Sequence, residues 1–196
     1  MPDQETGLRR TYAYRNVVAQ FMRLAQRDGT ERILAAEVGV WDGDSSAYFL
    51  TSVPNLVLTM VDLWQPIPED HPYKKAGDGV SRASADKMEW MMRLAYQRTE
   101  FAADRRYIVR AESTAVARDT APGFFDLVFI DAAHDYESVL ADCRAWWHTV
   151  RPGGTYCGHD YKKRTPGVVQ AVNEFAEEVG VRLWKNRGKI WSMEKP

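Results

Sequence analysis

Four side chains able to move protons or hold a metal ion fall at two points of the segment DLVFIDAAHDYESVLADCRAWWHTVRPGGTYCGHDY, residues 126–161. Asp131 is followed three residues later by His134, and His159 stands next to Asp160. Carboxylates and imidazoles bind divalent cations, and an imidazole that titrates near neutrality is also a general base. The segment reads as strand, helix, Pro-Gly-Gly turn, strand, which puts each pair at the carboxyl end of a strand. In open α/β sheets the ligand crevice lies along that edge. His134 has the alternative role of a histidine that only orients its loop, and His159 that of a residue hydrogen-bonded within the sheet edge. Asp135 is expected to cap the following helix rather than meet a ligand.

A second motif, AEVGVWDGDSS at residues 36–46, has a different chemistry. A strand that runs into glycines and then a helix turns backbone N–H groups and a positive dipole end toward an anion. Gly39 and Gly43 alone fit equally well with a tight turn that binds nothing. Asp62, at the end of the next apolar run, adds acceptors for two ribose hydroxyls. Together these residues imply a nucleoside joined to a carboxylate or phosphate. Trp41 occupies the place where a dinucleotide fingerprint has its middle glycine, which argues against close approach to a pyrophosphate.

The elements that must position these groups alternate between strand and helix. Residues 11–27 place Tyr14, Val17, Val18, Phe21 and Leu24 at helical spacing. The runs ILAAEVG and LVLTMVD read as buried strands around a helix from about Asp44 to Leu50, a first β-α-β unit with a right-handed crossover. From Leu63 the chain is rich in Pro and Gly without period, a lid candidate carrying Trp64, His71, Tyr73, Lys74 and Lys75; a solvated surface loop is the alternative. A helix is expected over Ser84–Ala103, with Met88, Met91 and Met92 as core packing. Strands follow at Tyr107–Arg110, Leu127–Asp131 and Thr155–Gly158, helices at Glu137–Val150 and Val168–Val179. The closing VRLWKNRGKIWSM reads as a hairpin.

Whole-chain numbers agree with this outline. With 196 residues, 45% hydrophobic and 27% charged, the chain fits one compact domain, 1–196, having an N-terminal helix at 11–28 and a lid-like insertion at about 64–104. A formal net charge of -1 offers no basic excess for nucleic acid or an anionic membrane. The two cysteines, Cys143 and Cys157, read as small core residues, and no apolar run reaches spanning length. A cytoplasmic protein is the expectation, with a homo-oligomer allowed.

In E-V-G-x-x-x-G-x-S at Glu37–Ser45, Asp62, A-E-S at Ala111–Ser113, FID at Phe129–Asp131 and RPGG at Arg151–Gly154, the chain resembles the class I S-adenosylmethionine-dependent methyltransferases. AAHDY and GHDY are most similar to small metal-dependent O-methyltransferases of the catechol and macrocin types. The resemblance implies a Rossmann-like, seven-stranded, mostly parallel sheet flanked by helices and closed by a C-terminal antiparallel hairpin. It implies S-adenosylmethionine as cofactor, with Glu37, Gly39 and Ser45 around its methionine part and Gly43 shaping the turn. By the same likeness Asp62 would hold the ribose, and Glu112 and Ser113 would lie near the adenine. Asp131 would sit beside the methyl donor and, with His159 and Asp160, bind a divalent metal. His134 takes the place of a catalytic Lys as base. His159 departs from the carboxylate usual there, and an imidazole suits Mn²⁺, Fe²⁺, Co²⁺, Ni²⁺ or Zn²⁺ better than Mg²⁺. The acceptor would be a small molecule or a sugar hydroxyl. The competing readings are a metal-independent O- or N-methyltransferase, an NAD-dependent oxidoreductase and a non-catalytic nucleoside-binding module.

Overall fold

The computed structural model describes residues 13–24, 32–76, 79–186 and 189–196. Seven strands form one sheet in the order β3-β2-β1-β4-β5-β7-β6. They are β1 (Ile33–Val38), β2 (Leu56–Asp62), β3 (Arg106–Arg110), β4 (Phe125–Ile130), β5 (Val150–Gly158), β6 (Trp184–Asn186) and β7 (Ile190–Glu194). The first five pair in parallel, and β7 runs antiparallel between β5 and β6. This is the mostly parallel, hairpin-closed sheet expected from the sequence. Its order reverses at β1, which lies between β2 and β4, so the crevice of such a sheet opens above the ends of β1 and β4.

Helices cover both faces, which is why the central strands are mostly apolar, with Glu37 and Asp126 as the buried acids among them. Helix α1 spans 13–24, and α2 (Asp44–Ser52) and α3 (Ala85–Arg98) pack with it over Ala35, Leu58 and Phe129. On the other face α4 (Ser113–Asp119), α5 (Tyr136–Trp147) and α6 (Pro166–Glu178) cover Ala36, Val128 and Ile130. Phe49 is fully buried and meets both Phe21 and Phe129 edge to face. Truncating such a ring to alanine costs about 3–5 kcal/mol. None of the described helices is long and apolar enough to cross a membrane.

The structure corrects several boundaries. The RPGG stretch is not a separate turn: it lies inside β5, where Gly153 donates to the carbonyl of Lys195 and Lys195 donates back to Gly154. The C-terminal residues thus turn four residues into a bulge, visible as the shift between the pairs Phe125–Val150 and Leu127–Thr155. The helix expected to reach Val150 ends at Trp147, where Thr149 folds its hydroxyl back onto the carbonyl of Trp146. Helix α3 stops at Arg98, and Thr99, bonded to the carbonyl of Ala95, leads into a 3₁₀ turn at Glu100–Ala102. Helix α4 was not anticipated, because seven residues are too few to display a period. Cys143 and Cys157 are free, buried core residues, and Met88 and Met91 belong to the core as expected. Expected positions 11–12 and 25–28 of the first helix, Gly77 and Asp78 of the lid, and Arg187 and Gly188 of the hairpin turn lie outside the described residues.

Candidate active site

A cleft of about 1320 Å³ opens above the carboxyl ends of β1, β2, β4 and β5. That exceeds the roughly 300–1,000 Å³ of a site for one drug-sized ligand, so there is room for a donor and an acceptor side by side. Its backbone is also strained. Trp41, Trp64, Asp160 and Lys189 are the non-glycine residues with positive φ among those described, and all four line the cleft. Each such conformation costs about 1–3 kcal/mol, and packing maintains it at functional sites more often than elsewhere.

The wall nearest β1 and β2 is built from backbone. Gly39 has φ +89° and a Cβ there would lie 2.3 Å from the carbonyl oxygen of Asp131, so only glycine lets the turn after β1 pass beneath the end of β4. Gly43, with φ +74°, starts α2 against Ala95 of α3, where a Cβ would come within 2.7 Å of the Ala95 Cα. Asp62 accepts from the backbone N–H of Val40 and Trp41 through Oδ2 and from Trp64 through Oδ1, each at 2.9 Å. It therefore fixes the glycine turn to the end of β2. The Trp64 indole N–H donates 2.7 Å to the carbonyl of Trp41 and closes the same corner.

Glu37 is fully buried and is not on the cleft wall. The hydroxyls of Ser45 and Ser46, in the first turn of α2, both donate to its carboxylate. Burial pushes the Glu37 carboxyl up to about 8, against those two hydrogen bonds and helped by the charges of Asp131 and Asp62. Farther along, Glu112 caps α4, accepting from the N–H of Thr114 and Ala115. Burial opposes ionisation, but these bonds hold its carboxyl below the usual range. Ser113 receives the Trp146 indole N–H at 2.8 Å and donates to Asp142 at 2.5 Å. Burial lifts the Asp142 carboxyl to about 7.

At the ends of β4 and β5 the groups bond to one another instead. His134 Nε2 lies 2.8 Å from Asp160 Oδ2, and Lys162 Nζ contacts Oδ1 of the same carboxylate. His159 Nδ1 stands 3.4 Å from Asp131 Oδ1 and 3.6 Å from Asp160 Oδ1. Ligand-capable atoms of Asp131, His134 and Asp160 all lie within 4.8 Å of one another. Burial works against ionised Asp160, yet bonds from His134 and Lys162 and the nearby His159 hold its carboxyl far below the usual range. Burial would lower His159, but the charge and hydrogen bond of Asp131, with Asp160, raise it above an ordinary imidazole. Tyr73, from the segment after β2, packs its ring edge-on to His134 at 5.6 Å and is 2% exposed, and Trp64 is 1% exposed. The solvated-loop alternative fails for these two residues. Asp135 accepts from Ser138 N–H at 3.0 Å and is the cap expected of it.

A family model described as a methyltransferase domain matches residues 36–161, which carry both halves of this cleft. The chain belongs to that methyltransferase family. Its fold and cofactor class are those of the class I, S-adenosylmethionine-dependent enzymes. The O-methyltransferase NovP superposes with a TM-score of 0.66 at 18% identity, covering 95% of this chain and 79% of that one. A protein from Staphylococcus aureus described as a putative caffeoyl-CoA O-methyltransferase gives 0.59 at 12% identity, covering 99% and 93%. An uncharacterized protein of Acanthamoeba polyphaga mimivirus is 33% identical over 63 residues, 31% of this chain. The methyltransferase spans 28% of the length of that curated relative.

Of the residues singled out in the sequence, Gly39, Ser45, Asp62, Glu112, Ser113, Asp131, His134, His159 and Asp160 all line the methyltransferase cleft; Glu37 and Gly43 lie behind it. Sequence reasoning missed Asp142 and Lys162. Asp142 had a signal, an acid among the apolar positions of α5, whereas nothing in the sequence ties Lys162 to Asp160.

Proposed function

We propose that this methyltransferase transfers the methyl group of S-adenosylmethionine to a hydroxyl of a small molecule or sugar, with a divalent metal at the acceptor. The observation that carries the reading is the convergence of Asp131, His134 and Asp160 at the end of the cleft opposite the glycine turn. Two carboxylates and an imidazole fit a borderline divalent ion, whose bonds to such ligands are roughly 2.0–2.3 Å. When bound, the metal would clamp the acceptor oxygen and lower its pKa.

The chain's own residues supply position. Gly39 and Ser45 would border the methionine part of the cofactor, while Glu37 holds Ser45 and Ser46 from beneath. Asp62 would receive the ribose hydroxyls, and Glu112 and Ser113 would border the adenine. Methyl transfer from a sulfonium needs the acceptor oxygen held in line at about 3 Å and relieved of its proton, and little else. The buried lid residues Trp64 and Tyr73 keep water from that point. NovP and the staphylococcal protein, both described as O-methyltransferases, support oxygen as the acceptor atom.

A second reading rests on the Lys162 ammonium, which already neutralises Asp160. In it no metal is used, and His134, oriented by Asp160, takes the acceptor's proton and is stabilised as imidazolium. Methyl-transfer assays against catechols, vicinal diols and sugars, with and without a chelator, separate the two. Activity lost on chelation and restored by Mn²⁺ supports the metal; activity indifferent to chelation supports the dyad.

A further inference from the structure

The end of the cleft at β5 and β7 is bordered by two basic segments, YKKR at residues 161–164 and RLWKNRGK at residues 182–189. From residue 161 to 173 and from 180 to 193 the chain has no Asp or Glu, although its formal net charge is -1. The fold brings the two segments together. Tyr161 donates its backbone N–H to the carbonyl of Lys189 at 2.9 Å, and Lys185 Nζ stands 5.0 Å from the centre of the Tyr161 ring. Both therefore adjoin Asp160, which precedes Tyr161 and whose carbonyl accepts from the Thr165 hydroxyl.

Lys162 and Lys189 line the cleft, the latter with φ +67°. Asp131 and Asp160, the carboxylates at the ends of β4 and β5, already face His159, His134 and Lys162. Lys163, Lys185 and Lys189 are exposed, and none of the three forms an ion pair among the described residues. Like charges gathered on one rim repel, and a cleft lined by one sign of charge focuses its field and concentrates ligands of the opposite sign. An ammonium is a point charge with three rotatable donors, suited to the oxygens of a phosphate. Because Lys189 lines the cleft itself, that anion belongs to a ligand that enters it.

We infer that the acceptor is phosphorylated: beside its reacting hydroxyl it carries a phosphate or diphosphate, which Lys163, Lys185 and Lys189 hold at the rim. The inference rests on the proposed assignment of the β4–β5 end to the acceptor. It narrows the acceptor from any small molecule or sugar to an anionic one, and it places specificity in residues outside the group of Asp131, His134 and Asp160.

The test is calorimetric titration of the intact protein, without added metal, with inorganic pyrophosphate as the probe. The wild type should bind it, and more weakly as salt is raised. Lys163→Gln/Lys185→Gln/Lys189→Gln should bind it on the order of tenfold more weakly. Lys163→Arg/Lys185→Arg/Lys189→Arg should retain binding, and both variants should keep the wild-type melting temperature and affinity for S-adenosylhomocysteine. A wild type that does not bind pyrophosphate, or a glutamine variant that binds it as tightly, overturns the inference while leaving the assignment of the two ends standing. Saturating pyrophosphate should leave S-adenosylhomocysteine binding unchanged. Competition between the two would instead overturn the assignment of this end to the acceptor, and the inference with it.

Discussion

The two halves of the cleft are built in opposite ways. Near β1 and β2 two carboxylates are tied to the fold, Glu37 by Ser45 and Ser46 and Asp62 by three backbone N–H groups. Near β4 and β5 the side chains are tied to each other, His134 and Lys162 to Asp160 and His159 to Asp131. The first wall presents a rigid shape suited to one invariant ligand. The second presents mutually neutralised charges that an incoming cation or acceptor can rearrange. On the proposed assignment the difference teaches where selectivity can drift: the side chains near β4 and β5 can change partners without disturbing the core, whereas those near β1 and β2 cannot.

Removing a group from the second wall should therefore cost chemistry and little else. Asp160→Ala is expected to lower turnover by roughly a thousandfold, about 4 kcal/mol of lost metal assistance, with cofactor affinity within about twofold of wild type. A parallel loss of cofactor affinity in titrations would break the separation between the halves. Gly39 is where the halves touch, and Gly39→Ala should damage both. The clash with Asp131 and the positive φ should reduce stability by about 2–3 kcal/mol, measured by denaturant unfolding.

The pH dependence of stability sharpens the first wall. The Glu37 carboxyl, near 4.5 when free, is pushed up to about 8 by burial, so between those pH values the folded protein holds a proton that the unfolded chain has released. Stability then falls as pH rises through that window and is fullest below it. The loss across that window should be on the order of a few kcal/mol, the two hydroxyl bonds being already contained in the raised value. Glu37→Gln should flatten the profile between pH 5 and 8; an unchanged slope in urea melts at several pH values would contradict this. The smallest effect belongs to Lys162. Its ammonium occupies Asp160 Oδ1, so Lys162→Met should tighten Mn²⁺ binding by about fivefold, close to 1 kcal/mol.

Much of this was legible in the sequence because it follows from local pattern. Apolar runs marked the strands, and the glycine turn, Asp62, Asp131 and GHDY each fell at the end of a different one. What stayed illegible depends on distant contacts. The bulge at RPGG exists because Lys195 returns to pair with it, and Glu37 recedes behind Ser45 because α2 starts directly above β1. The positive φ of Trp41 and Trp64 has no residue signature, and that of Asp160 only the general tolerance of Asp for the left-handed region. The histidines were identified at the right place, but their distances decide their partners: His134, expected as a base apart from the metal, is the imidazole grouped with Asp131 and Asp160.

Calorimetric titration of the wild type and Asp160→Ala with Mn²⁺, and separately with S-adenosylhomocysteine, tests the division of the cleft most directly. The account predicts one Mn²⁺ bound by the wild type and none by the variant, with S-adenosylhomocysteine bound equally by both. Mn²⁺ binding that is absent from the wild type, or indifferent to Asp160, would contradict it.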